Sequence, residues 1–228
     1  MRTFYTAGTV GDSYVILCKL YSIAKKERIL CRHYTSYAPA RPIVKEIYAL
    51  LPNIQVEFRM NRESVVYVRG TFIHDTDKEE AKEYGLAPEY YPVFDSADIK
   101  RFGLPEAYEV LQIEAGTDPV KRTSRLPEKM INDIIRNVTF PLVIVGDKSF
   151  GMKGENLIDL GGRTTVREVI TIIRISRHFY GRIGFLSFVA ASQKVPLSIK
   201  LPSEQHIVAA PLSFNAVSGW EKFFVRRL

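Results

Sequence analysis

Cysteine and long apolar runs are both scarce in this 228-residue chain. Cys18 and Cys31 are the only cysteines, and both sit in apolar stretches without metal-type spacing. They do not form a disulfide framework on this pattern, and two buried free thiols are expected. No apolar run approaches the roughly 20 residues that a membrane helix needs. Met1-Arg2-Thr3-Phe4-Tyr5 leads straight into a strand-like segment and does not read as a signal peptide, so a reducing cytoplasm is the expected location. The histidines His33, His74, His178 and His206 are scattered and show no ligand spacing. Ser36, Ser187 and Ser213 lack the Gly-x-Ser-x-Gly setting of a nucleophile elbow. There is no Gly-x-Gly-x-x-Gly, so a dinucleotide fingerprint is not supported. Low-complexity segments and short repeats are missing as well.

What is present is an ordinary globular composition with a lopsided charge. Apolar residues make up 46% and charged residues 25%. The net charge is +7. Residues 1–100 carry 14 Lys and Arg against 13 Asp and Glu, while residues 101–228 carry 18 against 12. The positive excess lies in the second half. A basic lobe suits a phosphate-bearing ligand or a polyanion such as nucleic acid, and it also suits a plain soluble surface.

Strand and helix patterns alternate along the first half. Strands are expected at Phe4–Gly8, Arg28–Tyr34, Ile54–Phe58 and Val65–Ile73, with helices at Ser13–Lys26 and Pro42–Leu51. Gly70 would mark a bulge or bend in the last of those strands. Residues 75–106 are polar and punctuated by Pro88, Pro92, Gly103 and Pro105, and read as an insertion ending in a linker. The alternation then restarts. Strands are expected at Tyr108–Glu114, Leu142–Val145 and Leu197–Leu201, with a brief one at Phe179-Tyr180, and Asn156–Leu160 reads as a short segment before a helix. Helices are expected at Leu126–Asn137, Thr165–Ile175, Gly184–Gln193 and Ser218–Arg227. This pattern predicts an α/β protein with two parallel-sheet lobes, residues 1–104 and 105–228.

Three segments carry possible chemistry. Gly8-Thr9-Val10-Gly11-Asp12 joins the first strand to the first helix, where ligands bind in open parallel sheets. Asp12 there is either a functional acid or a cap on a helix beginning around Ser13. Glu114 to Arg125 holds a Gly116-Thr117 turn followed by Lys121, Arg122 and Arg125. Free amides, a hydroxyl and cations of this kind can hold a diphosphate, and the same residues can form a solvated basic loop. Arg182-Ile183-Gly184 precedes an apolar helix whose first amides are unpaired and favour an anion. Asp75-Thr76-Asp77 imitates a metal-binding Asp-x-Asp but reads better as a helix start. No metal site is expected. Tyr90-Tyr91 and Phe94 read as packing rather than as a stacking platform.

Together these segments resemble the heptosyltransferase-like glycosyltransferases of family 9, which have the GT-B architecture. Gly11-Asp12 corresponds to the family's Gly-Asp loop. Gly116-Thr117 and Arg125 with Leu126-Pro127 correspond to its turn and basic residue before Trp-Pro. Val143-Ile144-Val145-Gly146 corresponds to its short strand ending in Gly. The fullest match is Asn156-Leu157-Ile158-Asp159-Leu160-Gly161-Gly162-Arg163-Thr164-Thr165, and the Gly184 helix ending in Ala190-Ala191 completes the pattern. The chain departs from the family where Asp-Ser-Gly and an in-helix His would stand, and reads Arg182-Ile183-Gly184 and Ser187 instead.

The resemblance implies two Rossmann-like lobes facing across a cleft and an inverting, metal-independent transfer from a nucleoside-diphosphate sugar to a hydroxyl. It makes Asp12 the general base, with Gly11 and Ser13 on the acceptor side; His33 at the end of its strand reads either as an acceptor-side residue or, the favoured reading, as structural. It places Gly116, Thr117, Lys121, Arg122, Arg125, Gly146, Leu160, Thr164, Arg182, Gly184 and Ser187 at the donor. No cofactor beyond the donor substrate is implied. The acceptor, whether glycan, lipid-linked sugar or DNA, and the oligomeric state are not specified. A non-catalytic nucleotide-binding module of the same fold is the rival reading.

Overall fold

The computed structural model describes residues 1–61, 65, 67–70, 82–86, 89, 91–115, 124–200 and 225–227. These divide into two units, the first covering Met1–Asp95 and the second beginning at Ser96. The division falls before the 104/105 boundary expected from the sequence. The reason is local: the Ala97 amide donates to Thr171 Oγ1 at 2.9 Å, and Arg101 pairs with Glu168 at 2.8 Å, so residues 96–102 are bound to the second unit.

In the first unit, β1 (Arg2–Ala7), β2 (Ile29–Tyr34), β3 (Ile54–Arg59) and β4 (Val68–Arg69) form one parallel sheet in the order β3-β2-β1-β4. Between them lie α1 (Val10–Ala24) and α2 (Arg41–Tyr48), which pack on each other. α1 is buried almost all round, including Tyr14, Val15, Ile16, Leu17 and Leu20. A helix that apolar needs a cover on its far side. Residues 89–94 contribute to it: the Glu89 amide donates to Cys18 O, Tyr21 OH donates to Val93 O, and Phe94 lies against the rings of Tyr14 and Tyr21. Phe94 is therefore packing, as expected.

Two expectations change here. The helix begins at Val10 rather than Ser13, because Thr9 and Asp12 close a capping box around its first turn. The strand expected over Val65–Ile73 is described only as Val68–Arg69, with Gly70 in a bend and residues 71–73 outside the described residues.

The second unit holds a six-stranded parallel sheet in the order β12-β11-β10-β5-β8-β9. Its strands are β5 (Glu109–Gln112), β8 (Leu142–Val145), β9 (Leu157–Asp159), β10 (Phe179–Arg182), β11 (Leu197–Lys200) and β12 (Val225–Arg227). β6 (Glu114–Ala115) and β7 (Ser124–Arg125) make a short antiparallel pair directly after β5. The helices are α3 (Glu128–Asn137), α4 (Val166–Arg174) and α5 (Phe185–Ser192). Leu111 and Ile113, after Leu142 and Ile144 from the neighbouring strand, build a core with Leu126, Ile131 and Ile134 from the α3 side. The central strands β5 and β8 are buried at every position, as a parallel sheet covered on both faces requires.

A helix expected over Ser218–Arg227 is corrected. Val225–Arg227 is a strand paired in parallel with Leu197–Ile199, and residues 218–224 lie outside the described residues. The open edge of β11 offers a full ladder of backbone partners, and this tertiary pairing overrides the local helical pattern. Among the described residues, no helix is long and apolar enough to cross a membrane.

Candidate functional site

Each sheet has one place where the strand order reverses. In the first unit the chain runs outward from β1 through β2 to β3, and β4 then pairs on the other side of β1. In the second unit β5, β8 and β9 run one way, and β10, β11 and β12 run the other way from β5. Ligands of open α/β sheets bind beyond the carboxyl ends of the strands at such points. The loops concerned are Gly8–Asp12 with Gly70 in the first unit, and Glu114–Arg125 with Ile183–Gly184 in the second.

In the first unit, Asp12 stands in the first turn of α1. Its Oδ2 accepts the Thr9 amide at 2.7 Å and the Thr9 hydroxyl at 3.1 Å. Oδ1 accepts no hydrogen bond among the described residues. The carboxylate is thus pinned through Oδ2, with Oδ1 unbonded among the described residues. Two glycine backbones hold it from either side. A Cβ on Gly8 would lie 2.3 Å from Asp12 Cβ, and one on Gly70 would lie 2.1 Å from it. Gly8 also has φ +150°, a conformation side chains rarely adopt.

Behind this loop lies a buried polar group. His33 Nε2 is 3.2 Å from Gly8 O, and its Nδ1 is 2.9 Å from Thr6 Oγ1 and 3.2 Å from Tyr48 OH. A carbonyl oxygen only accepts, so Nε2 carries the proton. Burial pushes the imidazole pKa down to about 4, against the Gly8 hydrogen bond that favours its charged form. The ring is therefore neutral at pH 7, and Nδ1 is the acceptor for the two hydroxyls. Burial first, then the neighbouring Cys31 and Asp12, push the Tyr48 hydroxyl well above its ordinary value and keep it a donor.

The second unit brings together the ends of β5, β8 and β10. Arg182 Nη1 donates to the Arg125 carbonyl, at the end of β7, at 3.1 Å. Its Nε is buried without a partner among the described residues. Burial pushes the guanidinium below its ordinary value, but an arginine remains charged. Gly184 sits where a Cβ would touch Ala115 Cβ at 3.5 Å. Lys148 pairs with Glu114 at 2.7 Å, and both Lys148 and Arg125 lie over the Phe150 ring, at 5.6 and 5.5 Å. Asp159 fastens the adjoining loops: Oδ2 accepts from Ser149 Oγ and the amides of Phe150 and Gly151, and Oδ1 from the Gly161 amide. Burial alone would raise its pKa, and these four bonds outweigh that and hold it below the ordinary carboxylate range.

Some expected site residues have other work. Ser13, His33 and Ser187 are fully buried, and Leu160 is 1% exposed. The Ser13 hydroxyl donates to Thr9 O, and Ser187 Oγ accepts the Gly184 amide and donates to Gly184 O. The Leu160 amide extends the ladder to Ile144 O. Gly146 accepts the Gly162 amide, Thr164 is half-buried just before the α4 cap, and Gly11 is half-buried in the first turn of α1. Gly116, Thr117, Lys121 and Arg122 lie outside the described residues. Sequence reasoning missed Gly70, Tyr48, Thr6, Lys148 and Phe150. Only Lys148 carried a local signal, a cation two residues past the glycine that ends β8.

No protein-family profile matches the chain, and no curated protein sequence does. Solved structures do. Over 100% of this chain and 90% of its own length, the E. coli ADP-heptose LPS heptosyltransferase II superposes with a TM-score of 0.56 at 13% identity. A glycosyltransferase family 9 protein from Veillonella parvula matches 99% of this chain and 86% of its own, with TM-score 0.53 and 11% identity. The fold is that of the family 9 glycosyltransferases. The iron-containing dodecameric glycosyltransferase TibC from enterotoxigenic E. coli matches at TM-score 0.48 and 13% identity over 87% of this chain, which spans 58% of that protein.

Proposed function

We propose that the chain is a glycosyltransferase that moves a sugar from a nucleoside-diphosphate donor to a hydroxyl acceptor with inversion at the anomeric carbon. The observation that carries this reading is the Asp12 carboxylate, pinned through Oδ2 and unbonded at Oδ1 among the described residues, beside the strand-order reversal of the first sheet. In the reaction, Oδ1 takes the proton of the acceptor hydroxyl as its oxygen attacks the anomeric carbon. The new C–O bond forms while the bond to the diphosphate breaks, and the nucleoside diphosphate leaves with the electron pair. The second unit holds the donor, with Arg125, Lys148 and Arg182 offsetting the charge on the leaving group. Residues 116–123, which carry Gly116, Thr117, Lys121 and Arg122, belong to the same proposed site by their place between β6 and β7. None of these steps calls on a metal. The heptosyltransferase above is named for an ADP-linked sugar, which makes ADP-sugars the first donors to test.

The test is transfer or donor hydrolysis with a panel of ADP-, UDP- and GDP-sugars. Release of nucleoside diphosphate from at least one donor is expected. Binding of ADP, UDP or GDP without turnover of any donor would replace this reading with a binding module. The basic second half keeps DNA in the acceptor panel, where binding that falls steeply with salt would point to it.

A further inference from the structure

Gly8 is held from both sides by the end of β2. Its amide donates to Tyr34 O at 3.0 Å, and its carbonyl accepts from His33 Nε2 at 3.2 Å. The Gly8 carbonyl carbon is bonded to the Thr9 nitrogen, and the Thr9 amide is the donor that fixes Asp12 Oδ2 at 2.7 Å. The peptide plane that His33 grips is therefore the same plane that aims the Asp12 carboxylate. The Gly8 carbonyl only accepts, so the imidazole proton sits on Nε2, and Nδ1 bonds with Thr6 Oγ1 and Tyr48 OH on the far side of the ring. His33 is fully buried and its ring is stacked edge-on between Tyr48 and Phe58, so it cannot swing to an alternative partner.

We propose that His33 is a positioning residue for Asp12: it holds the Gly8–Thr9 peptide from the neighbouring strand, with Thr6 and Tyr48 anchoring the ring through Nδ1. The proposal rests on the reading of Asp12 as base, and deepens it. Glutamine can place an amide nitrogen where Nε2 stands, so His33→Gln keeps the donor. His33→Leu removes it, and the pair Thr6→Val with Tyr48→Phe leaves the imidazole but removes both anchors from Nδ1.

The experiment compares these variants by hydrogen exchange over residues 6–14 and by steady-state transfer with whichever donor the wild type turns over. In His33→Leu, exchange over 6–14 is expected to rise at least tenfold, while exchange over residues 142–160 stays within twofold. The kcat is expected to fall at least tenfold with the donor KM within twofold. His33→Gln should keep kcat within threefold of wild type, and the Thr6→Val, Tyr48→Phe double variant should fall between the two. If His33→Leu does not fold, the double variant alone must show the raised exchange and lowered kcat. Unchanged exchange over 6–14, or His33→Gln as impaired as His33→Leu, overturns the proposal. Asp12→Asn, run alongside, separates the two ideas. Full activity there overturns the base reading whatever the exchange shows, whereas an inactive Asp12→Asn with a fully active His33→Leu overturns only this one.

Discussion

Gly70→Ala is the substitution whose cost follows most directly from the geometry. A methyl group there would lie 2.1 Å from Asp12 Cβ and 2.3 Å from Asp12 Cα. Carbon atoms rest at about 3.5–4 Å, so roughly 1.5 Å of movement is needed. Neither partner is the tip of a flexible side chain, so backbone must give way, either at the end of β4 or in the first turn of α1. Overpacking of this kind costs about 1–3 kcal/mol. Among the described residues β4 is held to β1 by two residue pairs, Thr6 with Val68 and Ala7 with Arg69, so it is the element expected to yield. For a unit near 100 residues, that energy corresponds to a Tm lowered by roughly 5–15 °C. Circular dichroism melts of wild type and variant measure it. A variant that melts within 1 °C of wild type would refute the close approach of Gly70 to Asp12.

Four other outcomes are expected. Asp159→Asn removes the charge from an acceptor of four hydrogen bonds and should cost about 1–2 kcal/mol in urea unfolding at pH 7, the modest figure reflecting its partial exposure. Because folding holds the Asp159 pKa below its ordinary value, its contribution is fully present above about pH 4 and is lost as pH falls through the folded pKa. The gap between wild type and Asp159→Asn should therefore close in acid and stay constant from pH 5 to pH 7, and a gap that widens in acid would contradict this. Arg101→Ala breaks a two-pronged contact with Glu168, whose pKa is raised by burial but lowered further by the Thr165 amide and by Arg101; it should cost about 1 kcal/mol and release residues 96–102 to faster hydrogen exchange. Cys18 and Cys31 are buried thiols pushed far up by desolvation, so Ellman's reagent should label neither in the native protein and both after unfolding.

The alternation of strands and helices was legible because parallel sheets demand it. Ile29-Leu30-Cys31 and Leu142-Val143-Ile144-Val145 are apolar runs that only a sheet covered on both faces can bury. The start of α1 was also available locally. Thr9-Val10-Gly11-Asp12 has the spacing of a capping box, but its glycines drew the segment toward a loop. Other features depend on contacts that no local pattern encodes. His33 meets Gly8 across 25 positions of sequence, and Gly70 meets Asp12 across a longer span still. β12 is a strand because β11 offers an edge, not because its own residues favour one. Ser187 read as a ligand contact because it stands one turn into α5, where its hydroxyl instead closes the helix start.

Asp12 is both a helix cap and the proposed base, and one substitution separates the roles. Asp12→Asn keeps a side-chain oxygen for the Thr9 amide at the position of Oδ2, so the capping bond survives, but the amide cannot take a proton. The decisive measurement is kcat for sugar transfer by Asp12→Asn beside its Tm. The account predicts a fall in kcat of about 10²–10⁴ with a Tm near that of wild type. A variant that transfers sugar at the wild-type rate would contradict it and leave Asp12 a cap alone.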